Sequence, residues 1–175
     1  MAKILLAASF AAKKHAGQKR KDGFEPYINH PLEVASILAN IGEVTDEDIL
    51  AAAILHDTLE DTETTEEEIK ETFGEKVCNY VIEVSDDKTL KESERKRLQI
   101  ERAHLLSPGA KQIKLADKIS NIKDIMNSSP KNWSKQKKID YIEWAKSVVE
   151  RLRGTNEKLE NYFDEVFQLA QRKIK

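Results

Sequence analysis

Apolar residues recur along this chain at spacings of three and four, the period of helices that share a core. Residues 2–16 set Ile4, Leu5, Ala8, Ala11 and Ala12 at helical spacing ahead of Gly17, which predicts a first helix. Residues 32–41, closed by Gly42, form a second. A third takes Thr45 as N-cap and runs through residues 49–55, seven apolar positions without a break, as suits a helix buried on all sides. Thr64-Thr65-Glu66-Glu67 has the form of a capping box and starts a fourth helix that ends near Gly74. Residues 75–84, with Val77, Val81, Ile82 and Val84, fit a helix or a short strand, and their helical neighbourhood favours a helix. Residues 93–106 predict a helix with one charged face. Ser107-Pro108-Gly109 breaks the chain before a helix over 110–126 with Leu115, Ile119, Ile122 and Met126 on its core side. Opposite them lie Asp117, Asn121 and Asp124, a face that taken alone reads as solvent-exposed. After a turn at 127–130, Ser134 caps a helix to 153, and a last helix over 156–172 carries Leu159, Phe163, Val166, Phe167 and Ala170 on one stripe. The pattern predicts an all-α bundle of about eight helices with little or no sheet.

Composition narrows the classes of function. The 175 residues suit one domain, and 29 basic against 31 acidic residues leave no overall field that would draw nucleic acid or an anionic membrane. The charged stretch 91–102 interleaves acids with bases and holds no aromatics, which argues against nucleic acid there too. Any basic site must be local. Cys78, the single cysteine, rules out an internal disulfide and fits a small buried side chain in a reducing compartment. The apolar start of the chain meets Lys13 and Lys14 before a signal sequence could be completed, and no run reaches the length of a membrane span. A cytoplasmic protein is expected. There is no internal repeat and no glycine-rich phosphate loop.

The chemistry concentrates at the end of the apolar run. On a continuous helix, His56, Asp57, Glu60 and Asp61 share one face, and ionisable groups at the end of a buried helix need a partner. A divalent cation is the usual one for a histidine among carboxylates. His30 precedes Pro31 and so sits at or near the N-cap of the second helix. The loop 18–27 gathers Lys19, Arg20 and Lys21, then Pro26 and Tyr27; it reads equally as a solvated loop or as a clamp for a phosphorylated ligand.

Taken together, His30, His56-Asp57 and Asp117 resemble the ligand pattern of the HD superfamily of metal-dependent phosphohydrolases. Arg20-Lys21, Pro26-Tyr27-Ile28-Asn29-His30-Pro31, His56-Asp57-Thr58-Leu59-Glu60-Asp61-Thr62, Asp86-Asp87-Lys88-Thr89-Leu90 and Lys114-Leu115-Ala116-Asp117-Lys118 with Asn121 narrow the likeness. They resemble the hydrolase domain of the RelA/SpoT homologues, in particular the stand-alone small alarmone hydrolases, including their metazoan SpoT-like form. The likeness runs from about residue 5 to about residue 160.

That resemblance implies an HD-type helical fold over 1–175 as a single hydrolase domain, with no synthetase or regulatory domain. It implies one Mn²⁺ held by His30, His56, Asp57 and Asp117, although Fe²⁺ and Co²⁺ share those ligand types. The implied reaction removes the 3′-pyrophosphate of guanosine tetra- or pentaphosphate, giving GDP or GTP and pyrophosphate. Glu60 and Asp61 are then catalytic, with the base between them undecided. Arg20 and Lys21 become the pyrophosphate clamp, and Tyr27 a stacking face or a hydroxyl. Asn121 points into the site one turn after Asp117, whose polar face is then expected to line it. Tyr141, between Trp133 and Trp144, falls at a nucleotide-site position. Lys137 stands where a close relative has arginine, which keeps the charge and loses the bidentate fork. Members also act on NADPH, removing its 2′-phosphate, so NADPH or another nucleotide is the rival substrate. A non-catalytic alarmone sensor is the rival of another class, against which the full set of metal and acid residues argues. Monomer and homodimer both remain open.

Overall fold

The computed structural model describes residues 1–20, 23–128, 130 and 132–174. Among them the helices are α1 (Ala2–Lys14), α2 (Asn29–Asn40), α3 (Glu47–Leu55), α4 (Thr58–Asp61), α5 (Glu66–Phe73), α6 (Glu75–Val84), α7 (Glu92–Arg102), α8 (Pro108–Asn127), α9 (Lys135–Val149) and α10 (Glu157–Ile174), with a 3₁₀ turn at Ala103–Leu105. Nothing described is a strand; an isolated bridge joins Lys19 to Pro26 across the loop that follows α1. The all-α expectation holds, with ten helices among the described residues against the expected eight or so; α4, a separate turn, is one the sequence did not predict. Among the described residues no helix is long and apolar enough to cross a membrane.

Two helices organise the rest. All seven residues 49–55 of α3 are buried, and α1, α2, α6 and α8 pack around it. The 20-residue α8 buries twelve positions and contacts α2, α3, α6, α9 and α10. Ser107 caps α8, accepting from the Ala110 amide at 3.4 Å, with Pro108 in the first turn, so the predicted chain break is the start of the helix. Gly109 is required there, because a Cβ would stand 2.6 Å from the Tyr80 ring.

Several expectations shift by a residue or more. Asp46 caps α3 in place of Thr45, its carboxylate accepting from the Asp48 amide at 2.8 Å. Thr65 caps α5, accepting from the Glu68 amide at 3.2 Å, one residue later than the predicted box. The helix after Ser134 stops at Val149, short of 153. On α1 the buried face is Ala7 and Ala11, while Leu5 is 66% exposed. The reason is steric: α1 packs on α3, whose Ala51, Ala52 and Ala53 are fully buried, and small side chains let two helices approach where leucine would hold them apart. Cys78 is buried as expected.

The most consequential difference is the end of α3. The apolar run does not continue as one helix through Asp61; α3 stops at Leu55, His56 and Asp57 form a turn, and α4 begins anew at Thr58. The His56 imidazole Nδ1 donates to the Ala53 carbonyl at 2.8 Å, and the Thr58 hydroxyl donates to the Leu55 carbonyl at 2.7 Å. These side-chain donors compete with the backbone amides for the last carbonyls of the helix. Asp57, at φ −99° and ψ −2°, then turns the chain.

Candidate active site

The turn after α3, the start of α2 and the middle of α8 meet at one point. His30 is the second residue of α2, inside the helix and not at its N-cap, which is Ile28. Its Nε2 lies 3.2 Å from Asp117 Oδ1 and 3.7 Å from Asp57 Oδ2. His56 Nε2 lies 3.1 Å from Asp57 Oδ2 and 3.8 Å from Asp117 Oδ1. Ligand atoms of His30, His56 and Asp117 all fall within 4.8 Å of one another, and Asp57 closes the histidine side of that group. Both histidines and Asp117 are buried.

The outer partners decide what the inner atoms offer. A carbonyl can only accept, so His56 Nδ1, at 2.8 Å from the Ala53 oxygen, carries the hydrogen and Nε2 presents its lone pair inward. Ser120 donates its hydroxyl to Glu33 Oε2 at 2.7 Å, so it accepts from His30 Nδ1 at 3.0 Å, and His30 Nε2 also presents a lone pair. Two lone pairs thus face two carboxylates, and His56 Nε2 is buried with no hydrogen-bond partner among the described residues. Four acceptors converging in a buried space are stable around a cation. The donor set, two imidazoles and two carboxylates with second partners in place, fits a divalent transition metal.

The charge states agree. Burial disfavours the imidazolium of His56, but Asp57 and Asp117 outweigh it and raise it to about 9, the mark of a position that calls for positive charge. Burial, with Arg20 and His56 adding to it, lowers His30 against the opposing pull of Asp117 and Asp57. Burial would keep Asp57 and Asp117 neutral; His56 for the first and Lys118 for the second outweigh it and hold both below the usual carboxylate range. Lys118 Nζ donates to Asp117 Oδ2 at 3.0 Å and sits 4.6 Å above the Trp144 ring, while Asn121 Nδ2 donates to Asp117 Oδ1 at 2.5 Å. The Asp117 face, taken alone a solvent face, is inside the site.

Glu60 and Asp61 stand on α4 beside this group, placed there by the break at His56-Asp57 and not by one helical face. Glu60 Oε2 accepts from the Asp86 amide at 2.9 Å, and burial pushes the Glu60 carboxyl up. The Tyr27 hydroxyl donates to Asp57 Oδ2 at 2.6 Å and to Asp61 Oδ2 at 3.1 Å. The Tyr27 ring packs near His15 and the Arg20 guanidinium. Gln18 fixes the same corner, its amide donating to the Asp61 carbonyl at 2.7 Å and its oxygen meeting His15 Nδ1 at 2.8 Å.

An open cleft of about 650 Å³ joins these groups to Arg20, Asn121, Lys137 and Tyr141. Eight cationic side chains line it (Lys19, Arg20, Lys88, Arg95, Lys96, Lys114, Lys118 and Lys137) against six acids, a local basic surface on a chain of net charge −2. Arg20 is not a free fork: Nε donates to Asp124 Oδ2 at 2.9 Å, Nη2 also meets Asp124, and Nη2 lies 3.3 Å from Asn121 Oδ1. Tyr141 packs between Trp133 and Trp144, at 5.7 and 5.2 Å between ring centres, and Lys137 Nζ sits 4.8 Å from the Trp133 ring centre. Lys21 lies outside the described residues.

A family model described as the HD domain matches residues 7–145. The chain belongs to the HD domain family. Among other members, guanosine-3′,5′-bis(diphosphate) 3′-pyrophosphohydrolase MESH1 of Xenopus tropicalis is 54% identical over 165 residues, spanning 94% of this chain and 92% of that protein. The human protein of the same name is 51% identical, spanning 95% and 94%. A solved structure, described as a metazoan ortholog of SpoT that hydrolyses ppGpp, superposes with a TM-score of 0.93 at 46% identity, covering all of this chain and 98% of that one. A Listeria monocytogenes protein superposes at 0.67 with 32% identity, covering 83% and 98%.

This HD-domain cleft also contains residues to which the sequence assigned no role. Lys118 and Lys114 are buried, although lysines on a helix usually mark a wet face. Their signal was present: Lys114, Asp117, Lys118 and Asn121 recur at spacings of three and four on α8. Asp124, which holds Arg20, shares that stripe. Ser120, the partner of His30, and Glu33 behind it left no comparable trace, because their roles depend on contacts between residues 90 and 87 apart in the chain.

Proposed function

We propose that this HD-domain protein hydrolyses the 3′-pyrophosphate of guanosine tetra- or pentaphosphate, releasing GDP or GTP and pyrophosphate, as the names of its relatives state for them. The observation that carries this reading is the convergence, in one cation-lined cleft, of two inward imidazole lone pairs and two carboxylates beside a buried glutamate. His30, His56, Asp57 and Asp117 would hold one divalent cation, for which we propose Mn²⁺. A cation there supplies charge stabilisation to phosphoryl oxygens and makes water more acidic.

Water adds to the phosphorus attached to the ribose 3′-oxygen, the bond between that phosphorus and the 3′-oxygen breaks, and the 3′-oxygen takes up a proton. Glu60 accepts the proton of the attacking water; burial raises its affinity for that proton towards what a base near neutral pH requires. Lys114 and Lys118 face the negative charge that builds on the phosphoryl group, and Arg20 exchanges Asp124 for the substrate's phosphate oxygens. Trp133 and Tyr141 offer aromatic surface to the purine, and Lys137 adds a cation beside it.

The test is product identification. Metal-loaded protein incubated with guanosine tetraphosphate should release pyrophosphate and GDP in equal amounts, with NADPH run in parallel. Failure to release pyrophosphate overturns the reading, and faster loss of phosphate from NADPH moves the assignment to that substrate.

A further inference from the structure

The segment between α6 and α7, which carries Asp86-Asp87-Lys88-Thr89-Leu90, touches both acids of α4. Lys88 Nζ donates to Asp61 Oδ1 at 2.7 Å and lies 3.4 Å from Glu60 Oε1. The amide of Asp86 donates to Glu60 Oε2 at 2.9 Å, and the Asp86 carboxylate accepts in turn from Gln99 Nε2 of α7 at 2.6 Å. The Thr89 amide and hydroxyl both donate to Asp87 Oδ1, at 2.9 and 2.6 Å, which folds the segment into a tight turn around Lys88.

A half-exposed lysine paired with one carboxylate ordinarily contributes little. Lys88 differs in what it sorts. Asp57, Glu60 and Asp61 crowd three negative charges into five residues, and Lys88 is the ammonium that reaches two of them. Both oxygens of Asp61 are already engaged, Oδ1 by Lys88 and Oδ2 by the Tyr27 hydroxyl. Glu60 Oε1 meets Lys88 only at 3.4 Å, too long for a good hydrogen bond, and remains the carboxylate oxygen open to a water proton.

We propose that Lys88 is a positioning residue: with the Tyr27 hydroxyl it fixes Asp61 as a strut, so that Glu60 alone faces the attacking water. This inference rests on the hydrolase reading above, and it divides between the two acids the roles that the sequence left undivided.

Lys88→Ala and Lys88→Arg, assayed in metal-loaded protein with guanosine tetraphosphate, test it. Lys88→Ala should lower kcat about ten-fold or more with KM within about three-fold of the parent, and Lys88→Arg should recover most of that loss. A raised KM at unchanged kcat overturns the proposal, because Lys88 would then serve the substrate and not the base. Unchanged kinetics also overturn it. The contact itself is read without turnover by NMR of the lysine ammonium groups: Asp61→Asn should shift the Lys88 signal, and an unmoved signal overturns the strut. Absence of pyrophosphate release from the parent protein contradicts the hydrolase reading separately, with the ammonium contact still decided by NMR.

Discussion

The cleft has two halves built in different ways. The histidine–aspartate group sits among buried helices, each imidazole fixed by an outer partner that needs no rearrangement: Ala53 for His56, and Ser120 backed by Glu33 for His30. The cationic half rests on ion pairs, chiefly Arg20 on Asp124, which on the proposed function the substrate would displace. On the proposed function, core packing would preorganise the chemistry, while recognition would depend on exchangeable ion pairs. Losses in the first half should therefore fall on metal and kcat, and loss of the Arg20 contact on KM.

The largest effect expected is from His56→Ala or Asp57→Ala, which should lose bound metal and activity together by metal analysis and pyrophosphate assay; full activity without metal would remove the distinction between the halves. Glu60→Gln should keep its metal and lose roughly 10²–10⁴-fold in kcat, as removal of a general base does. Ser120→Ala should weaken metal binding by roughly 10–100-fold, read by titration against a chelator, because His30 loses the acceptor that fixes its tautomer. Arg20→Ala should raise KM far more than it lowers kcat, and an unchanged KM would place Arg20 outside the clamp.

A smaller effect comes from pH. Burial raises Glu60, which must be ionised to act, so kcat should fall as pH drops through a value above the ordinary glutamate range. Burial, with Lys118 alongside, lowers Lys114, which must be protonated to offset phosphate charge, so activity should fall again as pH rises through a value below the ordinary lysine range. Lys114→Arg should extend activity to higher pH; an unmoved alkaline limb would take Lys114 out of the account.

The same two halves explain what could be read from the sequence. The buried run of α3, the stripe of α8 and the helical class follow from periodicity, because burial on one face leaves a periodic trace. The proposed metal set was legible only through the joint pattern of His30, His56-Asp57 and Asp117, since each alone has an ordinary reading. The break after Leu55 was not legible: it comes from His56 and Thr58 donating to carbonyls, and both residues are compatible with a continuing helix. Lys118 was missed because its burial is made tolerable by Asp117 and the Trp144 face, and Trp144 lies on another helix. Lys88 stood in a motif that pointed to the family, but its contact with Asp61 spans 27 residues and needed the fold.

The central claim is that one divalent cation, held by His30, His56, Asp57 and Asp117, is required for pyrophosphate release. The direct measurement is a chelator titration in which bound metal and pyrophosphate release from guanosine tetraphosphate are read on the same samples. The two should fall together from one metal per chain, and be restored together by Mn²⁺; pyrophosphate release that persists in metal-free protein would contradict the account.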